Sequence, residues 1–133
     1  MRIDVEVLKR LTGVFLESEE PLTTWFDLRE ALPNVKDTHL AWYLDLLHDD
    51  GFLMRVDRKP GTGVNYNGNG TIRPSTFPLR LTSQGMSFAA NLHRSEAIKW
   101  LERSLRDVKH LSLQLLSGSL QQWAASGFPL PSS

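Results

Sequence analysis

The chain has 133 residues, of which 41% are hydrophobic and 23% are charged, a composition typical of one globular domain. It contains no cysteine, which excludes disulfides, thiolate nucleophiles and cysteine-ligated zinc or iron–sulfur sites. Fifteen basic and fifteen acidic residues cancel to a formal net charge of zero. Because nucleic-acid binders usually carry a basic excess, DNA binding by this chain would depend on a local cluster of cations.

The N-terminal segment predicts neither a signal peptide nor a membrane span. Charged side chains already stand at Arg2, Asp4 and Glu6, and an amphipathic pattern follows them. We therefore expect a cytoplasmic protein with no membrane partner.

Two helices are predicted in the first part of the chain. Apolar residues recur at helical spacing from Ile3 to Glu17, and Pro21 follows that helix. Thr24, with Asp27 three residues later, forms a capping arrangement for a short second helix.

A third helix is predicted to begin after a cap at Asp37 or Thr38 and to end near Gly51. Its apolar stripe comprises Leu40, Leu44 and Leu47, with Tyr43 beside it.

A β-hairpin is predicted after the third helix. Residues 52–56 are typical of one strand and residues 77–81 of a second, and the segment between them contains two Asn-Gly pairs that favour turns. This long glycine-rich loop is a candidate wing.

The rest of the chain is predicted to be helical. Thr82 caps a fourth helix, whose buried side holds Met86, Phe88, Ala89 and Leu92. An amphipathic extension runs from residue 95 to residue 125, with a break near His110 and Ser112. We predict a winged-helix domain over residues 1–93, a helical extension over 94–126 that packs on it or mediates dimerisation, and a flexible tail over 127–133.

Three helices followed by a hairpin are typical of the winged helix-turn-helix, so the expected fold is mainly α with a small β-hairpin, in the α+β class. The residues His39-Leu40-Ala41-Trp42-Tyr43-Leu44, Gly51-Phe52-Leu53 and Leu81-Thr82-Ser83-Gln84-Gly85-Met86-Ser87-Phe88 carry a further resemblance. The chain resembles an uncharacterised family of small phage and bacterial proteins whose members carry "HLxxL", "GLI" and "LTxxGxxF" patterns in this order. The resemblance implies a winged-helix fold and a phage or prophage origin, and it supplies no catalytic residues.

The candidate DNA-binding residues fall into two groups. In a winged helix the third helix reads the major groove, mainly through its N-terminal part, and the hairpin contacts the backbone. The reading-helix candidates are Lys36, Thr38, His39 and Trp42. The wing candidates are Arg55, Arg58, Lys59 and Arg73.

The third helix also supports an alternative interpretation, in which it binds a protein partner. The face opposite its apolar stripe comprises Thr38, Trp42, Asp45 and Asp49. The two aspartates would repel DNA phosphates if this face met DNA; alternatively, they are ordinary solvent-exposed residues. Tryptophan is enriched among interface hot spots, so Trp42, Asp45 and Asp49 are candidate partner-binding residues, although Trp42 could equally pack inward.

Catalytic, metal and cofactor sites are not predicted, because the histidines have no metal-ligand spacing and no acid–base or nucleophile arrangement is recognisable. Two hypotheses remain. The first is a non-enzymatic winged-helix protein that binds double-stranded DNA as a transcriptional regulator. The second is a protein-interaction module, such as a phage-encoded inhibitor of a host or defence protein. In either case the extension favours a homodimer.

Overall fold

The computed structural model describes residues 2–129, and within them the chain forms six helices and four short strands. The helices are α1 (Val5–Glu17), α2 (Trp25–Ala31), α3 (Asp37–Asp49), α4 (Ser83–Leu92), α5 (Ala97–Ser104) and α6 (Leu113–Ala125). The strands are β1 (Leu53–Arg55), β2 (Asn65–Tyr66), β3 (Ile72–Arg73) and β4 (Leu79–Leu81). The expected α+β class is confirmed.

Side-chain caps fix where α1 and α2 begin. Asp4 accepts a hydrogen bond from the backbone N–H of Glu6, and Thr24 and Asp27 form the predicted capping box. The cap predicted for α3 is wrong, because its N-cap residue is Lys36 and no side chain caps the helix. Asp37 is the first helical residue, and its carboxylate lies 3.2 Å from a guanidinium nitrogen of Arg29.

The first sheet is the predicted hairpin, in which β1 and β4 pair antiparallel with Leu53 opposite Leu81. On the other edge of β4, Thr23 forms an isolated antiparallel bridge with Leu79, whose N–H donates to the Thr23 carbonyl at 2.7 Å. The connection between α1 and α2 is thereby tied to the sheet.

The loop between β1 and β4 is structured rather than open. A second antiparallel pair, β2 with β3, lies inside it, and a turn at Asn67–Gly70 joins the two strands. Val64, immediately before β2, is buried, and Ile72 of β3 packs against the core. These apolar side chains explain why a loop rich in glycine and asparagine is ordered.

The buried apolar residues form one cluster that extends from α1 to α6. In α4 the buried positions are Gly85, Phe88, Ala89 and Leu92. Met86 is 47% exposed, so the prediction that it is buried is wrong. The buried stripe begins one residue earlier, at Gly85, and this turns Met86 to the edge of the helix.

The C-terminal region departs from the prediction in two places. The helical pattern that continues to Val108 in the sequence ends structurally at Ser104, and α6 starts after a Ser112 cap. The tail is also held further than expected, since the Trp123 indole donates to the carbonyl of Pro129 at 2.7 Å and the Phe128 ring packs on Trp123. Residues 130–133 of the predicted flexible tail lie outside the described residues.

None of the helices in the described part of the chain combines the length and the apolar character that a membrane span requires.

Candidate nucleic-acid interface

Helix α3 presents a mixed face to its surroundings. Its buried side comprises Leu40, Ala41, Tyr43, Leu44 and Leu47, as the apolar spacing predicts. Of the four residues expected on the opposite face, Thr38 and Asp49 are exposed, whereas Trp42 and Asp45 are half-buried. The two ends of this face are therefore open and its middle is not.

The inner hairpin lies beside the middle of α3. Strand β3 contacts the helix, and the Tyr66 hydroxyl donates a hydrogen bond to the Asp45 carboxylate at 3.3 Å. Burial raises the pKa of the Asp45 carboxyl, and the hydrogen bond from Tyr66 opposes this effect. Sequence reasoning missed this contact, because it joins residues 21 positions apart and neither belongs to a recognisable motif.

Trp42 packs against the protein's own core. Its ring meets Tyr43 edge to face, with centroids 5.1 Å apart, and the Tyr43 hydroxyl accepts a hydrogen bond from the Asp4 backbone at 2.8 Å. These contacts favour the structural role for Trp42 over the role of an exposed anchor.

The start of α3 is accessible. Lys36 and Thr38 are exposed and His39 is half-buried. Because no side chain caps this helix, its first backbone N–H groups are free of side-chain acceptors. Asp37, the one acidic residue at this end, is paired with Arg29.

Arg55 occupies a structural position at the base of the long loop. Its guanidinium is bonded to both carboxylate oxygens of Asp57 and lies 3.8 Å from the centroid of the Phe77 ring, and the residue is only 8% exposed. The hydrogen bond from Arg55 lowers the pKa of the Asp57 carboxyl. We therefore correct the sequence-based assignment, since Arg55 is not free to contact a phosphate.

The other wing cations are exposed. Arg58 and Lys59 lie on the turn after β1, where the Asp57 carboxylate also accepts the backbone N–H of Lys59 at 3.1 Å. Arg73 lies on β3, one residue after the inward-packed Ile72. Among residues 2–129, Arg58, Lys59 and Arg73 form no ion pair.

No group of three His, Asp or Glu side chains within the described chain is close enough together to hold a metal ion.

Comparisons of the chain with protein-family models, with curated proteins and with solved structures find no match. The resemblance of the sequence to a family of small phage and bacterial proteins therefore stays a prediction.

Proposed function

We propose that this chain is a cytoplasmic, non-enzymatic winged-helix protein of phage or prophage type that binds double-stranded DNA. In this arrangement α3 is the reading helix and the segment between β1 and β4 is the wing. The order of α1, α2 and α3, followed by the antiparallel β1–β4 pair, supports the proposal. The Thr23 bridge supports it further, because it joins the helices and the hairpin into one body.

One observation carries the DNA-binding proposal: the two acidic residues that stand beside the candidate DNA-binding cations in the sequence, Asp37 and Asp57, each form an ion pair with an arginine of the chain. Asp37 is paired with Arg29, and Asp57 is paired with Arg55. The exposed cations close to them in sequence are Lys36, Arg58 and Lys59, to which the inner hairpin adds Arg73. Residues 55–78 therefore carry a net positive charge although the whole chain is neutral, whereas Asp45 and Asp49 lie further along α3.

The expected contact is mainly with phosphates. A helix N-terminus with free N–H groups attracts anions, and Lys36 adds a full positive charge there. Thr38 and His39 lie in the first turn of α3, and in this proposal they are the residues that contact base edges. Trp42 lies further along the helix and is packed inward, so we leave it out of the proposed interface.

The hypothesis that α3 binds a protein partner receives less support. It needs Trp42 and Asp45 at the surface, and both are half-buried. Only Asp49 remains as an exposed member of that set.

The proposal is tested by measuring the affinity of the chain for a random DNA duplex over a series of salt concentrations. Affinity should fall steeply with salt, because each phosphate contact contributes a slope of about −0.9 in log K against log salt. The triple variant Arg58→Ala/Lys59→Ala/Arg73→Ala should bind more weakly, with a slope shallower by roughly 2 to 3.

A matched control removes the same charge elsewhere. Arg103, Arg106 and Lys109 are also exposed and lie in or after α5. Their triple alanine variant should keep the wild-type slope. Absence of binding at low salt, or equal losses in the two triple variants, would contradict the proposed interface.

A further inference from the structure

The C-terminal segment of the chain lacks charged side chains. Residues 111–133 include no Asp, Glu, Lys or Arg, although 23% of the whole chain is charged. Helix α6 lies within this stretch, so both its inner and its outer side are uncharged. An outer helix face normally carries charged residues that keep it in water, and α6 departs from that pattern.

The inner side of α6 is fully engaged with the protein. Leu116, Leu120 and Trp123 are buried, and the helix packs on α4 and α5. Trp123 stacks on Trp100, whose indole donates to the Ser119 hydroxyl at 3.0 Å. These contacts fix which side of α6 faces outward.

The outer side combines an exposed leucine with a glycine. Leu115 is 42% exposed, and a Cβ added to Gly118 would meet nothing within 4 Å. Between α5 and α6 these residues line an open groove of about 300 Å³ together with Leu105 and Gln122. The face also includes the exposed amides of Gln114 and Gln121. We call Gln114, Leu115, Gly118, Gln121 and Gln122 the α6 face.

We propose that the α6 face binds a second copy of this chain in a two-fold dimer. In such a dimer the same patch meets itself, so a charged side chain close to the two-fold axis would face its own copy. Glutamine avoids this because its amide both donates and accepts hydrogen bonds and can pair with its own copy. Gly118 allows the two helices to approach closely, and Leu115 supplies apolar area that the dimer removes from water.

The chemistry of the α6 face disfavours other occupants. A nucleic acid needs cations, and the face has none. A strongly charged protein partner would lose solvation without gaining an ion pair. Depletion of charge is the compositional feature that marks the core of protein interfaces.

The test is the mass of the full chain in solution, measured by light scattering or sedimentation over a range of concentrations. We expect a species of twice the 15.1 kDa chain mass. Leu115→Glu should raise the dimer dissociation constant at least about tenfold, because it places an unpaired carboxylate in the contact. Phe26→Glu is the matched control, since Phe26 is 52% exposed on α2, and it should leave the dimer unchanged.

Gly118→Glu provides a second variant that does not remove packing from the monomer. It replaces glycine in a helix by a better helix former, so the fold should be retained, as circular dichroism will show. This variant should also be monomeric. A wild-type chain that stays monomeric up to about 100 µM, or a dimer that survives both Leu115→Glu and Gly118→Glu, would overturn the proposal. The mass is measured without DNA, so its outcome is independent of DNA binding.

Discussion

At the scale of single residues, Gly85 shows how closely two elements approach. It lies in the first turn of α4, and an added Cβ would collide with the backbone carbonyl of Phe52, just before β1. The same carbonyl accepts the N–H of Thr82 at 3.0 Å, so it is not free to move away. The helix can begin against the sheet only because this position has no side chain.

Gly85→Ala should therefore lower the free energy of unfolding by about 3 kcal/mol, since the collision is with backbone rather than with a movable side chain. Chemical denaturation of the variant measures this loss. Ser87→Ala, at an exposed position of the same helix, should change the free energy by less than about 0.5 kcal/mol. Equal stability of the Gly85→Ala variant and the wild type would show that α4 lies further from Phe52.

Asp45 gives a second residue-scale prediction. Because burial raises the pKa of this carboxyl, its ionised form is less favourable in the folded state than in the unfolded state. The wild type should therefore gain stability relative to Asp45→Asn as the pH falls from neutral through the raised pKa. Asparagine keeps an acceptor for the Tyr66 hydroxyl, so the comparison isolates the charge.

The measurement compares the urea midpoints of the two proteins at about pH 7 and about pH 3.5, because the lower pH lies below the ordinary pKa of an aspartate and therefore also below a raised one. Asp107→Asn, at an exposed position after α5, controls for the loss of one negative charge. A difference between wild type and Asp45→Asn that stays constant with pH would contradict the raised pKa.

At the scale of elements, the base of the wing is held by Arg55. Its guanidinium joins Asp57, after β1, to the Phe77 ring, before β4. Arg55→Ala should cost about 2 kcal/mol of stability, less than a fully buried pair because the Asp57 side chain is 36% exposed. The neighbouring exposed variant Arg58→Ala should be nearly neutral in the same thermal or urea unfolding experiment. Similar losses in both variants would remove Arg55 from this structural role.

The elements differ in how far the sequence predicts them. The helices can be predicted from the sequence because their signals are local. Examples are the capping box of Thr24 and Asp27 and the apolar stripe of Leu40, Leu44 and Leu47. The inner hairpin cannot be predicted in this way. Strands of two residues are too short to show a period, and they depend on tertiary contacts such as the one between Tyr66 and Asp45.

The candidate site follows the same division. Sequence identifies the exposed cations Arg58, Lys59 and Arg73, whose positions follow from the turn and strand pattern. The sequence also makes Arg55 a candidate DNA contact, and this prediction is wrong. The burial of an arginine between a carboxylate and an aromatic ring leaves no pattern in the sequence. The ion pair between Asp37 and Arg29 cannot be predicted from the sequence either, because Arg29 lies in a different helix.

At the scale of the whole molecule, the proposed surfaces serve different contacts. Lys36, the first turn of α3 and the cations of the wing would contact DNA, while the α6 face would contact a second chain. Two copies joined through α6 would present two α3 helices, which suits a DNA site made of paired half-sites. The neutral total charge is compatible with this division, because the positive residues of the first surface are balanced by acids elsewhere.

The most direct test of the DNA-binding proposal is an NMR titration of the chain with a short random duplex at low salt, followed through backbone amide shifts. We predict that the largest changes fall on the start of α3 and on the wing, at Lys36, Thr38, His39, Arg58, Lys59 and Arg73. Amides of α5 should change little. Shifts confined to other parts of the chain, or no shifts at a several-fold excess of DNA, would contradict the assignment of this surface to DNA.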